Sequence, residues 1–596
     1  MNIALINFQN KNQQKLGFGR AFTNKEMDVY TQKLAEAKDL YEINDPVDDQ
    51  KKKLNNTALI LPDFYAPDST INSENSLKFI KLMKQLNGIN VVQCLPRGPI
   101  TKDNLSPFSS SPFEIGEHLI NGVPDLKVAY EEFKALPEKS ELKQNFKAFN
   151  DKNPHFERYG MLDALKEEYG TDYWPNWQGE KAKLDKNLFN YDDSKEIPAD
   201  KKARQDEIKE KYSKDVDFYK FKQFIGYKQH AETKQKLNDE NIKLFGDCLI
   251  GFSHRDEWAF KPAFEPGKST GCNGDGEKFN DWGLPCLDFK KLHNNDGSLG
   301  SAGKVLKKKF DNFLDNYDGA RIDAGWQLSN PQTNKGPEFL GTKMLDIMEM
   351  AINDQRKNGH DIKNEDINIE NLGGPGQAVN LTKNKYPHIH ITRYAGNDWG
   401  RPAFYNSKQS GNDHLKTNTG YALNGFTIGI GCHDDISLID LANTKRNDQF
   451  NLLAKDLNIA DSSSLKKSAE SFRNAKFAEI FTTRNQFFTA PDAIGDERRL
   501  NNPDDSTAPN WKININDKGN PEETYFKNLS VGKGLNTPKS LAMAIRAKMG
   551  ENDKTKGVLD FLDKAGRILR QQGPDTITEA TKLEIENPSS LNEKLV

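Results

Sequence analysis

The sequence has few cysteines, and their spacing is typical of neither a metal site nor a disulfide framework. The 596 residues include five cysteines, at Cys94, Cys248, Cys272, Cys286 and Cys432. The number is odd, and no two of them form a Cys-x-x-Cys pair. We therefore expect a reducing compartment, and neither a disulfide framework nor a structural zinc site. The ten histidines are scattered and form no His-x-x-x-His pattern, so no metal is expected.

Long apolar runs are missing as well. No stretch approaches the roughly 20 residues that span a bilayer. The amino-terminal MNIALINFQNKNQQK has only a very short apolar run with no basic residues before it, which is unlike a signal peptide. These features predict a cytoplasmic protein that has no membrane partner.

The chain lacks an excess of either charge. Its 84 Lys and Arg residues nearly balance its 87 Asp and Glu residues, for a net charge of -3. Such a balance creates no field that would attract nucleic acid, so no nucleic-acid partner is expected. A neutral polymer such as a polysaccharide needs no such field.

What the chain does contain is a recurring unit of a short apolar run, a polar loop and a helical stretch. Eight runs are candidate strands, at residues 58–67, 90–99, 242–253, 317–325, 366–374, 388–396, 426–435 and 477–485. Eight strands with helical segments between most of them favour an α/β fold of the (β/α)8 TIM barrel type. Because such a barrel takes about 250 residues, this one should carry large, mainly helical insertions.

The same pattern predicts three parts. A polar and partly helical segment covers residues 1–55, the barrel covers 56–520, and helices with a tail cover 521–596. The largest insertion is expected at 124–216. It is dense in charged residues with spaced Leu, Phe and Tyr, which indicates amphipathic helices.

Several of the predicted strands end in acids, and active sites of such barrels lie where strands end. In GARID, the alternation of side chains directs Arg321 and Asp323 into the barrel mouth. In INIENLGG, Glu370 points inward in the same way. In FTIGIGCHDD, His433 and Asp434 lie at or beyond the strand end, and alternation does not decide which of them points in.

Retaining cleavage of a glycosidic bond needs two carboxyl groups about 5–5.5 Å apart. Asp323 suits the nucleophile, because the adjacent Arg321 is expected to lower its pKa. Glu370 has no cationic neighbour on its own face, so it suits the proton donor. A third acid can bind sugar hydroxyls and favour the cation-like transition state. Any one such acid can equally be a helix cap or turn former, but three at separate strand ends favour catalysis.

Eight segments, in order, resemble a known family. They are VVQCLPRGP with SPFSSSPF (106–113), YGMLDALKEEYG with YWPNW (159–177), FYKFKQFIGYKQH (218–230), NDWGLP (280–285), YDGARID, IENLG, GCHDD, and APDAIGDERRLNNP with APNWKININ (490–515). The chain resembles a divergent member of glycoside hydrolase family 77, the 4-α-glucanotransferases of the amylomaltase (disproportionating enzyme) type. The resemblance extends over residues 58–516.

The resemblance implies transfer of α-1,4-glucan segments between maltooligosaccharides, starch or glycogen chains by a retaining double displacement, with no cofactor. It places the nucleophile on Asp323, the acid/base on Glu370 and the transition-state stabiliser on Asp434. It also implies that Arg321 supports the nucleophile and that His433 binds sugar. An α-glucan hydrolase on the same barrel, or a non-catalytic glucan-binding relative, remains an alternative.

The chain departs from the family pattern in its substrate loops. Ala324 stands where the family usually has His, and Phe108 stands where a substrate-contacting Tyr is expected. Asp275, in the glycine-rich GCNGDGEKF, is matched to a substrate-binding position. Trp282 is expected either to stack on a sugar ring or to anchor its loop on the barrel. These departures leave chain-length preference and the ratio of transfer to hydrolysis open.

Overall fold

The structure of the chain is a computed structural model. It describes residues 24–40, 43–44, 51–52, 56–101, 104–273, 278–370, 386, 390–394, 426–444, 447–483, 485–503, 505 and 507–571. Every helix within these ranges is too short or too polar to cross a bilayer.

Eight parallel strands close into a barrel. They are β1 (Thr57–Ile60), β2 (Val91–Cys94), β3 (Lys243–Cys248), β4 (Gly319–Ile322), β5 (Ile367–Glu370), β6 (His390–Tyr394), β7 (Phe426–Gly429) and β8 (Asn485–Thr489). Each strand pairs with the next along the chain, and β8 pairs with β1. The predicted (β/α)8 barrel with helical insertions is confirmed.

The prediction for the eighth strand was wrong. Residues 477–485 were expected to form it, but FAEIF belongs to a helix that ends at Phe481, and the strand follows at Asn485–Thr489. The helix is buried on nearly every side, and its buried residues include Arg473, Asn474, Lys476 and Glu479 as well as apolar ones. Because the apolar run FAEIF is short, its hydrophobic pattern does not distinguish a buried strand from a buried helix.

The helices lie between and around these strands. They are α1 (Asn24–Asp39), α2 (Glu74–Asn87), α3 (Leu126–Lys134), α4 (Glu141–Lys152), α5 (His155–Tyr169), α6 (Ala182–Asp185), α7 (Ala199–Lys211), α8 (Ser213–Asp239), α9 (His254–Ala259), α10 (Ser301–Asn316), α11 (Lys343–Lys357), α12 (Leu438–Thr444), α13 (Asn447–Asp456), α14 (Ser463–Lys467), α15 (Ala469–Phe481), α16 (Ala490–Ile494), α17 (Pro521–Ser530), α18 (Thr537–Met549) and α19 (Lys556–Gln571).

The insertion between β2 and β3 is helical, comprising α3 to α8. Residue 216, where the predicted insertion ends, lies inside α8, and this helix continues to Asp239, shortly before β3. The insertion shares an apolar cluster with α9, in which Trp177 of the insertion and Trp258 of α9 are almost fully buried. This cluster packs the insertion against the segment that follows β3.

The terminal helices share the core of the barrel. Leu34 of α1, Leu541 of α18 and Leu559 of α19 belong to the same buried cluster as the outward-facing strand residues. The hydroxyl of Tyr30 also donates to the carbonyl of Leu86 at 2.8 Å. The two ends of the described chain therefore support the barrel. They lie away from its mouth, because α2 ends at Asn87, just before β2 begins.

A β-hairpin is inserted between α9 and α10. Its strands, Phe264–Asn273 and Phe279–Leu287, are antiparallel, and two short strands at Gln332–Thr333 and Gly336–Pro337 extend the sheet. The sequence pattern predicts loops in this region, and the structure has paired strands there instead. The hairpin carries Trp282.

Candidate active site

The strand ends bring two predicted acids level with each other. Strands β4 and β5 are neighbours, and Ile322 is paired with Ile369. Asp323 and Glu370 are the next residues on the two strands. Since adjacent strands lie about 4.8 Å apart, the two side chains start from positions close to the separation that retaining glycosidases need.

The Arg321 guanidinium connects these acids. Its Nη1 lies 3.0 Å from Oδ1 of Asp323, and its Nη2 lies 2.6 Å from Oε1 of Glu370. Nη1 also lies 2.7 Å from both carboxylate oxygens of Asp247, on β3. The Arg321 side chain is only 4% exposed. Two carboxyl groups held by one buried guanidinium can flank a single small group at the barrel mouth.

The pKa of Asp323 does not follow the prediction. Burial disfavours its charged form, and the carboxylates of Glu370 and Asp247 add to this effect, so the pKa of Asp323 is raised to about 7 even though Arg321 opposes the shift. Arg321 does lower the pKa of Asp323, as predicted, but burial and the two other carboxylates outweigh its effect. The guanidinium is shared among three carboxylates, and one positive charge does not neutralise three negative ones.

The surroundings of Glu370 also differ from the prediction. Its partner cation comes from the neighbouring strand: Arg321 binds Oε1, while the backbone N–H of Ala324 donates to Oε2 at 3.1 Å. Ala324 has a left-handed backbone, with a φ of 42°, where the chain turns after β4. The prediction considered only the strand that carries Glu370, and the pattern of one strand does not reveal a cation on the next.

His433 and Asp434 follow β7 and form an ion pair with 3.4 Å between Nε2 and Oδ2. The His433 side chain is 4% exposed and that of Asp434 is 42% exposed, so Asp434 faces the open mouth.

Burial opposes a charged imidazole, but the Asp434 carboxylate outweighs it and raises the pKa of His433 to about 9. Burial likewise opposes the carboxylate, yet His433 lowers the pKa of Asp434. Asn501 Nδ2 donates to Asp434 Oδ1 at 2.5 Å and fixes the carboxylate further.

An aromatic wall lies beside this pair. The ring of Phe108 stacks on His433 with 4.7 Å between centroids, and Trp511 lies 5.6 Å from His433. Trp511 has a φ of 62°, which is unusual for a non-glycine residue and costs about 1–3 kcal/mol. Phe64 meets the Trp511 ring edge-on at 5.8 Å. The half-buried faces of Phe108 and Trp511 are suited to contact the apolar face of a sugar.

Trp282 lies apart from this wall. Its ring is edge-on to that of Trp326, with 6.4 Å between centroids, and no contact in the described ranges joins it to the carboxylates. Asp275 lies outside the described residues.

Sequence reasoning missed three residues that the fold brings to the acids: Asp247, Asn501 and Trp511. Asp247 carried a signal, because it lies in the third apolar run at an inward position, paired in register with Arg321. Trp511 and Asn501 lie in the late motifs of the family resemblance, but only their distance from His433 and Asp434 in space identifies them.

The carboxylates do not form a metal site. In the described part of the chain, no group of three or more His, Cys, Asp or Glu side chains is arranged to hold a metal ion. Arg321 provides the positive charge among Asp247, Asp323 and Glu370 instead.

Comparison with known proteins places the chain in a family. The model of glycoside hydrolase family 77, described as 4-alpha-glucanotransferase, matches residues 122–518. A 4-alpha-glucanotransferase of Clostridium butyricum is 25% identical over 38% of this chain and 46% of its own length. One of Synechocystis sp. is 25% identical over 38% of this chain and 42% of its own length. The chain thus spans less than half the length of the curated relatives it matches.

Solved structures are similar in fold. The amylomaltase from Streptococcus agalactiae in complex with acarbose has a TM-score of 0.57 at 15% identity, over 80% of this chain and 99% of its own. The amylomaltase from Corynebacterium glutamicum has a TM-score of 0.53 at 12% identity, over 87% of this chain and 75% of its own. The family match covers most of the barrel and its insertion, and it includes the strand ends that carry the acids. The chain belongs to glycoside hydrolase family 77.

Proposed function

We propose that this chain is a 4-α-glucanotransferase that moves α-1,4-glucan segments between maltooligosaccharides, starch or glycogen chains. One observation carries the proposal: a single guanidinium, that of Arg321, binds carboxyl groups at the ends of two adjacent strands, Asp323 and Glu370. Membership of family 77 supports the same activity. The polar, uncharged nature of a glucan also agrees with the chain's net charge of -3.

In the first half of the proposed reaction, an oxygen of Asp323 attacks the anomeric carbon as the bond from that carbon to the glycosidic oxygen breaks. Glu370 gives its proton to the departing oxygen, and a glucosyl ester of Asp323 forms. Glu370 accepts hydrogen bonds at both oxygens in the structure, as a carboxylate does. The raised pKa of Asp323 means that the carboxylate cluster holds a proton near neutral pH. Transfer of this proton to Glu370 frees Asp323 to attack.

In the second half, the 4-hydroxyl of an acceptor glucan attacks the same carbon. Glu370 takes the hydroxyl proton, and the ester bond to Asp323 breaks. Water in the place of the acceptor would give hydrolysis by the same steps. Acceptor binding and water exclusion therefore decide between transfer and hydrolysis.

The neighbouring residues have separate proposed roles. Asp434 stabilises the cation-like transition state, and its lowered pKa keeps it ionised for this purpose. The charged His433 donates to a sugar hydroxyl, and Phe108 provides an apolar contact without the hydroxyl of a Tyr. Asp275 and Trp282 are proposed to bind more distant sugar rings.

The product pattern from maltotriose tests the proposal. Transfer gives a ladder of longer and shorter maltooligosaccharides and some glucose while the number of reducing ends stays constant. A rise in reducing ends would instead identify a hydrolase. Acarbose, which is bound in the Streptococcus agalactiae amylomaltase structure, is expected to inhibit the reaction.

A catalytic variant separates an enzyme from a binding protein. Asp323→Asn is expected to bind maltooligosaccharides but to lose transfer, because an amide cannot form the ester. The exposed Asp151→Asn, on α4, is a charge-matched control that should keep full activity. If wild type and Asp323→Asn bind glucan equally and neither turns it over, the chain is a non-catalytic relative.

A further inference from the structure

A second cavity lies outside the barrel wall, between the helical insertion and the barrel. It has a volume of about 700 Å³. Its walls come from the start of α5, the loop at 190–194, the segment 260–263 and the start of α10. None of its lining residues belongs to the carboxylate cluster or to the aromatic wall beside His433. The cavity is therefore separate from the proposed catalytic site.

Two helices begin at this cavity. Pro154 and His155 of α5 line it, as do Gly300 and Ser301 of α10. Neither helix start is capped by a side-chain hydrogen bond. The first backbone N–H groups of a helix have no partner within it, and the helix dipole adds partial positive charge there. Both features favour an anion.

The cavity also contains more basic than acidic side chains. Arg158, Lys291, Lys304 and Lys308 line it, against two acids at 192 and 193. Arg158 binds Asp193 at 2.6 Å, and Lys291 binds Asp288 at 3.0 Å.

Two of these cations are not held in a close ion pair. Among the described residues, neither the Lys304 nor the Lys308 ammonium group forms a salt bridge, although both are carried by α10 and line the cavity. Lys304 is exposed and interacts with Asp192 at longer range. Lys308 is half-buried: burial and the nearby Arg158 charge lower its pKa, against the opposing effect of the Asp311 carboxylate. An anion in the cavity would give Lys308 a closer counter-ion.

His155 is a buried polar side chain of this cavity that has no hydrogen-bond partner among the described residues. It is 5% exposed and lines the cavity, and neither ring nitrogen has a hydrogen-bond partner in the described part of the chain. Its ring lies among aromatic neighbours, with Phe156 at 4.4 Å and Phe113 at 5.7 Å between centroids. Burying such a group without a hydrogen bond costs about 1–3 kcal/mol, which a ligand oxygen can offset.

We propose that this cavity is a binding site for a small phosphorylated molecule, held through its phosphate by Lys304, Lys308 and the start of α10. The cavity is larger than a phosphate ion, and its lining also includes the polar Asn190 and Asn294 and the aromatic Tyr191. These groups suit the hydroxyls and ring of a sugar phosphate. A neutral glucan would provide no counter-ion for Lys308.

The test is isothermal titration calorimetry of the full chain with glucose 6-phosphate, inorganic phosphate and glucose at low salt. We expect both phosphates to bind and glucose not to bind. Lys304→Gln with Lys308→Gln should weaken phosphate binding at least tenfold. Lys307→Gln is the matched control, because it removes a charge from the same helix where Lys307 pairs with Asp311 and Asp354. Circular dichroism checks that each variant folds.

The outcomes distinguish the possible ligands. Tighter binding of glucose 6-phosphate than of inorganic phosphate supports the proposal and assigns the site to sugar phosphates. Equal binding supports it with the phosphate group as the only part recognised. Absence of phosphate binding at millimolar concentration, or equal weakening by Lys307→Gln, overturns it. Glucan transfer is not measured here, so this result is independent of the proposed catalytic function.

Discussion

The Nη1 atom of Arg321 lies 2.7 Å from each carboxylate oxygen of Asp247. The two residues are also direct partners in the pairing of β3 with β4. Asp247 is fully buried and accepts a further contact from Gln93 at 3.4 Å. It therefore holds the guanidinium that in turn holds Asp323 and Glu370, and it adds a negative charge beneath them.

The first prediction concerns this positioning residue. Asp247→Asn keeps the shape of the side chain but removes its charge and loosens Arg321, so kcat for maltotriose transfer should fall about 10- to 100-fold. Because the Asp247 charge contributes to the raised pKa of Asp323, the alkaline limb of the pH–rate profile should move to lower pH. A variant with lower kcat but an unmoved limb would show that Asp247 is merely structural.

The second prediction is the pH dependence of the wild-type chain. The carboxylates of Asp247, Asp323 and Glu370 must together hold one proton, which Glu370 donates. Because the pKa of Asp323 is raised to about 7, this proton is lost above that pH. Values of kcat/KM for maltotriose should therefore fall as the pH rises beyond about 7, and should be higher at pH 6 than at pH 8.5. The two carboxyl groups titrate together, so the limb reports the pair. Constant kcat/KM between these two pH values would contradict the prediction.

The third prediction concerns stability. A carboxyl group whose pKa rises on folding, here from 3.8 to about 7, destabilises the folded state as the pH increases from about 4 to 7. Asp323→Asn removes this cost and should raise the free energy of unfolding at pH 8 by on the order of 2 kcal/mol, and by less at pH 5. Urea denaturation at both pH values measures the difference.

Asp151→Asn serves as the control for that experiment, because Asp151 is exposed on α4. It should leave the free energy of unfolding nearly unchanged at both pH values. An Asp323→Asn variant that is less stable than wild type at pH 8 would show that its carboxylate stabilises the fold.

The fourth prediction concerns the aromatic wall. Trp511→Ala removes the ring beside His433 and Phe108, so KM for maltoheptaose should rise about 3- to 10-fold with little change in kcat. Trp511→Phe retains an aromatic face at the same backbone position and should recover most of the affinity. If kcat falls and KM stays constant in Trp511→Ala, the ring positions His433 and does not bind sugar.

The sequence predicted much of the barrel. Seven of the eight predicted segments each overlap one observed strand of the barrel, and the failure at residues 477–485 has a definite cause. The strands in question carry strand-forming residues between polar loops, whereas the short and fully buried FAEIF is equally consistent with a buried helix. Alternation along β4 also correctly predicted that Arg321 and Asp323 lie near each other.

What the sequence by itself determined is the order of strands, the position of each acid at or near a strand end and, for Asp323 and Glu370, the face on which the side chain lies. These follow from local periodicity and from motifs along one segment. Only the tertiary structure decided that Asp247, Asp323 and Glu370 share one arginine, and that the pKa of Asp323 is raised. It also decided that His433 is buried while Asp434 remains open to the mouth. Ion pairing and burial depend on neighbouring strands and on loops hundreds of residues away, and no single segment contains that information.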